Sequence, residues 1–445
     1  MTTLKIPAPG LHGPSDLPLR PGQAVAGRSQ LPHGVQDYFL VEAARRRQAE
    51  AVLRENYVRW GYHEVIPPTF EYYENLIVGA SADLQQAMYR FFDRQGRTLA
   101  LRADFTPQVA RMAITKLIDR PLPLRCFYVG SLFRCQESQA GRQREFTQAG
   151  VELVGADTPA ADAEVVALAI AALEALDLRE FQINLGQMAF FHALTGNLPA
   201  TALDPIREAI DHKNVARLDK AITQAGVTGN QRDLLRRLPD LIGGPEILDQ
   251  ARALSTSLPR ASAAMAAIER LAQVYRLLQA YGVAGRVILD LGEVRGMDYY
   301  TGITFRGVAP GLGWPVISGG RYDDLVARFG RPMAAVGFGL GVERALLIQS
   351  RQGSPPPPLA PHVQVSYCDH PACLAMVRRL RQSGCRVKTD VLGLSKEELA
   401  DQARQQGIPR TLRRIDQGWL LIDEQNQRTL TDTALLQEAK TWVSQ

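Results

Sequence analysis

Four clusters hold the side chains that could do chemistry. Between Phe133 and Phe146, Arg134, Arg142 and Arg144 stand around Gly141, with Gln136 and Glu137 among them. Arginine forks bind phosphate oxygens two at a time and a hairpin tip can fold over a ligand, so this pattern suits a nucleotide. A solvated basic turn has the same composition. The stretch Arg295-Gly296-Met297-Asp298-Tyr299-Tyr300 places a cation ahead of two phenols on a predicted strand, where neighbours point to opposite faces and one ring must face the core. Plain strand packing, with a phenol hydrogen-bonded at its tip, explains that pattern equally well. Ser318-Gly319-Gly320-Arg321-Tyr322 and Gly337-Phe338-Gly339-Leu340-Gly341, the latter followed by Arg344, are strands with side chains missing where a ligand or a second backbone comes close. Their spacing is not a dinucleotide fingerprint, and no Walker loop, HExxH or GxSxG occurs. Cys368, His370 and Cys373 could each ligate a metal, but they lack a fourth ligand and zinc spacing, so no metal is expected.

Composition sets the frame for these clusters. The 445 residues are 46% hydrophobic and 22% charged, the balance of a soluble chain of roughly three domains. The net charge of +5 is too small to require a nucleic-acid partner. Five cysteines are too few and odd in number for a disulfide framework, which points to a reducing compartment, the cytoplasm. Without an apolar leader or an eighteen-residue apolar run, secretion and a membrane span are not expected.

The elements that must position the clusters follow from periodicity. Residues 1–30, rich in proline and glycine, read as a flexible arm. Val41–Trp60 reads as an amphipathic helix and Tyr62–Ile66 as a strand ended by Pro67-Pro68. Thr98–Arg102, Arg125–Arg134 and Glu145–Leu153 read as strands, the last two as an antiparallel hairpin turning at Gly141. Ala161–Leu176 is predicted helical, Gln182–Leu185 a strand, and about 188–281 an almost wholly helical insertion. Strands resume at Val287–Asp290, Tyr299–Phe305, Val316–Ser318 and Ala334–Gly341. Together, residues 31–350 form an α+β domain on an antiparallel sheet, 351–360 a proline-rich linker, and 361–445 a small C-terminal α/β domain.

In order and spacing, the four clusters resemble the class II aminoacyl-tRNA synthetases, specifically histidyl-tRNA synthetase. The opening helix, strand and Pro68 are similar to that class's first motif, Phe133 to Glu152 to its second, Gly337 to Arg344 to its third, and Arg295 to Tyr300 to a stretch peculiar to the histidine enzyme. The resemblance implies a dimerising sheet domain that places Asp104, Thr106, Gln148, Glu152, Arg295, Tyr299 and Tyr300 about histidine, with Arg134, Gln136, Arg142 and Arg344 facing a vestigial ATP site. The chain departs from the synthetase pattern at Asp104-Phe105, where Phe105 adds bulk in place of glycine, and at Gln136-Glu137. It is more similar to the regulatory subunits of ATP phosphoribosyltransferase, through Leu31 to Asp37, Asp104 to Gln108, Arg144 to Glu152 and Leu238 to Gly244. That resemblance implies a non-catalytic subunit without cofactor or metal, which assembles as a homodimer within a hetero-oligomer containing a short catalytic subunit. It activates that subunit and takes histidine as allosteric ligand, with no tRNA and no membrane among its partners. Such subunits are expected to end near the third motif, so 361–445, weakly similar to an anticodon-binding domain, keep open the alternative of a synthetase charging the histidine tRNA through a histidyl-adenylate.

Overall fold

The computed structural model describes residues 30–135, 143–294, 299–355, 360–423 and 426–443. Residues 1–29 of the expected arm, 356–359 of the expected linker, and the site candidates Gln136, Arg142 and Arg295 lie outside the described residues. Contacts divide the chain into two units, one running to Asp37 and then Glu50–Gln352, the other joining Tyr38–Ala49 to the residues from Gly353 onward. The first half of the helix Leu40–Arg59 is thereby grouped with the C-terminal residues.

In the first unit, nine strands form one sheet in the order His63–Glu64, Leu124–Phe133, Glu145–Val154, Ala335–Gly341, Ile317–Arg321, Ile303–Val308, Gln182–Gln187, Val287–Asp290 and Ile242–Gly243. All neighbours are antiparallel except the first pair and the pair Gln182–Gln187 with Val287–Asp290. The helix Pro159–Ala175 lies against this sheet. Thr158 starts it by accepting the Ala161 N–H at 3.2 Å, and Pro159 sits in the first turn, where its missing donor costs nothing. From Ala161 to Leu173 its residues are buried on almost every side, as a helix must be when it is covered by strands and by the helix Ala261–Ala280. Asp162 is the one fully buried acid of this helix. It is fully buried and accepts from Arg321 and Arg270, so the carboxylate and Arg321, itself 2% exposed, neutralise each other inside the packing.

The structure departs from the periodicity reading at several points. The first strand shrinks to two residues because Pro67-Pro68 cannot extend a ladder. The helical insertion contains the short strand Ile242–Gly243, which pairs with Val287–Asp290 at the sheet edge. Tyr299 and Tyr300 precede the strand Ile303–Val308 instead of lying within it. Freed from the two-residue alternation of a strand, they do not take opposite faces; their rings meet edge to face at 5.2 Å.

The C-terminal unit holds a five-stranded sheet ordered Val387–Thr389, Val363–Val365, Arg410–Ile415, Gly418–Asp423 and Gln427–Leu430. The first three are parallel and the last three antiparallel. Trp419, with no exposed surface, centres the core, and its indole N–H donates to Asp432 at 2.8 Å. The strand Arg410–Ile415 escapes a hydrophobicity reading because Arg410, Thr411, Arg413 and Arg414 make it polar. Cys368 and Cys373 form a disulfide, a single bond where no disulfide framework was expected, and Cys126, Cys135 and Cys385 are free. Among the described residues no helix is long and apolar enough to cross a membrane, and no group of His, Cys, Asp and Glu is placed to hold a metal ion.

Candidate functional site

The hairpin strand Glu145–Val154 alternates Gln148, Gly150 and Glu152 on one face with Ala149, Val151 and Leu153, fully or almost fully buried, on the other. Its neighbour Ala335–Gly341 sets Gly337 directly opposite Glu152 and Gly339 opposite Gly150. A methyl at 337 would overlap the Glu152 carboxylate and the Val151 carbonyl, so glycine is required there for the acid to lie across the strand. A cavity of about 260 Å³ opens over this part of the sheet. Asp104, Thr106, Arg134, Gln148, Glu152, Tyr299, Tyr300 and Arg344, far apart in sequence, all line it.

Glu152 is 1% exposed and accepts from three hydroxyls: Thr106 Oγ1 at 2.9 Å, Tyr128 Oη at 3.2 Å and Tyr322 Oη at short range. Burial raises its carboxyl to about 8, outweighing the three donors, and the neighbouring charge of Asp104 pushes the same way. Burial thus favours the protonated form of Glu152. Burial likewise raises the phenols of Tyr128, Tyr299, Tyr300 and Tyr322, which keeps all four as neutral donors. Tyr299 donates to Asp104 Oδ2 at 3.2 Å. The side-chain oxygen of Gln148 is buried in the wall without a hydrogen-bond partner. The cavity thus offers a buried acid, phenols and an unsatisfied amide oxygen, a set suited to a small polar molecule with ring nitrogens and N–H donors.

The outer part is cationic. Arg134 Nε donates to the Ala103 carbonyl at 2.9 Å with its guanidinium 5.3 Å from the Phe146 ring, and Arg344 Nη1 donates to the Pro315 carbonyl at 2.6 Å. Glu343, beside Arg344 on the helix Val342–Arg351, anchors that helix by accepting the Thr147 N–H at 2.9 Å on both oxygens. Arg306 also lines the cavity and donates Nε to Glu293 Oε2 at 2.7 Å. Burial raises the Glu293 carboxyl to about 7 against the opposing pull of Arg306, and its second oxygen has no partner.

Phe105, whose bulk replaces the glycine of the synthetase pattern, does not line the cavity. It is 1% exposed, stacked 4.2 Å from the Tyr128 ring with the Arg102 guanidinium 4.3 Å from its own centre, and it supports the pocket from behind. Tyr128, Tyr322, Arg306 and Glu293 are the site residues that sequence reasoning did not select. Tyr322 carried a usable signal, standing two residues after the paired glycines of its strand; Tyr128 is an ordinary strand residue and carried none.

Comparison with known proteins gives consistent matches. The histidyl-tRNA synthetase family model covers residues 34–345. An ATP phosphoribosyltransferase regulatory subunit from Moorella thermoacetica is 42% identical over 381 residues, 85% of this chain and 96% of that protein. One from Symbiobacterium thermophilum is 41% identical over 394 residues, 87% of this chain and 97% of that protein. Such coverage exceeds what residues 1–350 could supply, so these relatives continue into the C-terminal unit, contrary to the expectation that they stop near the third motif. Among solved structures, an ATP phosphoribosyltransferase regulatory subunit/histidyl-tRNA synthetase from Bacillus halodurans superposes with a TM-score of 0.75 at 30% identity, covering 84% of this chain and 96% of that one. A histidyl-tRNA synthetase from Nostoc shares the fold, with a TM-score of 0.77 at 24% identity over 93% of this chain and 99% of that one.

Proposed function

The chain belongs to the ATP phosphoribosyltransferase regulatory subunit family, built on the histidyl-tRNA synthetase fold, and from that premise we propose that it is a histidine sensor that activates a catalytic partner. The observation that carries the reading is 42% identity to a regulatory subunit across 85% of the chain. Its partner is the catalytic subunit of ATP phosphoribosyltransferase, of the short form, joined in a hetero-oligomer in the cytoplasm. The assembly makes phosphoribosyl-ATP, the first step of histidine biosynthesis, and activation comes from assembly.

Histidine occupies the cavity over Glu152. Its imidazole lies among Glu152, Thr106, Gln148 and Tyr300, where the buried acid and the unpartnered Gln148 oxygen answer ring and amino N–H groups. Feedback requires only that two conformations of the assembly bind histidine unequally, with a coupling of about 1–3 kcal/mol. Nothing in the role calls for an adenylate, and the replacement of the synthetase's Glu-Arg by Gln136-Glu137 supports a site that keeps the amino acid without efficient activation. Histidine-dependent ATP–pyrophosphate exchange, run beside calorimetric histidine binding and activation of the short catalytic subunit, tests the reading. The expected result is histidine binding and activation without exchange. Exchange at a synthetase-like rate would refute it.

A further inference from the structure

We propose that Cys368 and Cys373 are a reversible thiol–disulfide switch in the C-terminal unit, exchanging with a glutathione-class thiol. The inference rests on the cytoplasmic reading above, because a disulfide in a reducing compartment is rarely structural and is commonly redox-sensing.

The bond bridges the segment after the strand Val363–Val365 to the first turn of the helix Pro371–Gln382, closing over Asp369, His370, Pro371 and Ala372. Its two sulfurs are not equivalent. Cys373 is 1% exposed and packed with Met376, Val377 and Leu380, whereas Cys368 is half-buried at the margin of that core. The three remaining described cysteines stay unbonded. His370 caps the helix by accepting the Ala372 N–H at 3.1 Å, so the segment is organised as a helix start and not as a metal site.

This asymmetry orders the exchange. A glutathione thiolate attacks the accessible Cys368 Sγ, the S–S bond breaks, and Cys373 leaves as a thiolate. The leaving Cys373 sulfur takes up the proton given up when the glutathione thiol ionised. A second glutathione thiolate attacks the glutathione sulfur of the mixed disulfide and displaces the Cys368 thiolate, so two glutathiones become one glutathione disulfide and the protein gains two thiols. The segment that loosens is already tied to its neighbour: Asp390 accepts the N–H groups of Tyr367, Leu392 and Leu394 at 3.3, 2.9 and 2.8 Å. Tyr367, Leu374, Val391 and Leu392 around it are all exposed, so the redox state sets the order of an apolar rim.

The full chain, equilibrated in glutathione buffers from strongly reducing to strongly oxidising, is acid-quenched and alkylated, and the Cys368–Cys373 peptide is quantified by mass spectrometry. The pair is expected to pass from dithiol to disulfide within that range, with amide exchange over 366–374 slowing by roughly tenfold or more on oxidation. C368S and C373S should each show the fast exchange in every buffer, while C135S should respond as the parent chain does. A pair that stays bonded in the most reducing buffer, stays reduced in the most oxidising one, or changes state without altering exchange overturns the proposal. Activation of the catalytic subunit is a separate measurement, so failure of the switch leaves the regulatory reading standing.

Discussion

Replacing Glu152 with glutamine keeps the shape of the side chain and removes its titration. Between the ordinary carboxyl value of 4.5 and the native value of about 8, the folded chain holds a proton that the unfolded chain has released. Unfolding then liberates a proton, so the contribution of Glu152 to stability is full below pH 4.5 and falls as pH rises to about 8, with a slope of at most about 1.4 kcal/mol per pH unit. Over the whole window the loss is bounded at about 5 kcal/mol. The three hydroxyls on the carboxylate, from Thr106, Tyr128 and Tyr322, work against this shift, and the burial of the acid outweighs them. Urea denaturation of the parent chain and E152Q, at steps from pH 5.5 to 9, gives the difference directly; Glu293, which titrates near 7, is common to both and cancels. E152Q should gain on the parent steadily with pH and level off above 8. Parallel stability profiles would refute the reasoning and mean that the acid is ionised in its ring of hydroxyls.

Three further outcomes follow from the same geometry. Y322F removes one donor from Glu152, so it should cost about 1–3 kcal/mol and move the fall in stability to higher pH, read by the same denaturation series. D162A leaves Arg321 and Arg270 facing a lost carboxylate; because Arg321 keeps Asp323 at 2.9 Å, the cost should sit near the lower end of about 3–5 kcal/mol, seen as a lower urea midpoint. G337A forces a methyl into Glu152 and the Val151 carbonyl, so calorimetric histidine binding should disappear with a stability loss of about 1–3 kcal/mol; unchanged binding would place the sensor elsewhere.

Much of the site was legible in sequence because its strands carry period-two information. Gln148, Gly150 and Glu152 share a face by spacing alone, and the glycines at 337 and 339 announce a neighbour that needs room. The hairpin, the buried helix Pro159–Ala175 and the strand Ala335–Gly341 were readable for the same reason, since each buries enough apolar surface to impose its period. The polar strand Arg410–Ile415 and the two-residue strand Ile242–Gly243 were not, because partners rather than composition hold them in the sheets.

The sequence by itself determined the fold class, the family and part of the cavity lining, Gln148 and Glu152 among it, since these depend on local spacing and on residue type. Tertiary structure alone decided that Tyr128 and Tyr322 converge on Glu152, that Phe105 packs behind the pocket instead of filling it, and that Cys368 meets Cys373. It also decided that burial lifts the Glu152 carboxyl to about 8. Each of these depends on which surfaces are excluded from water and which distant atoms come within hydrogen-bonding or bonding distance, and neither is a property of a stretch of chain read alone.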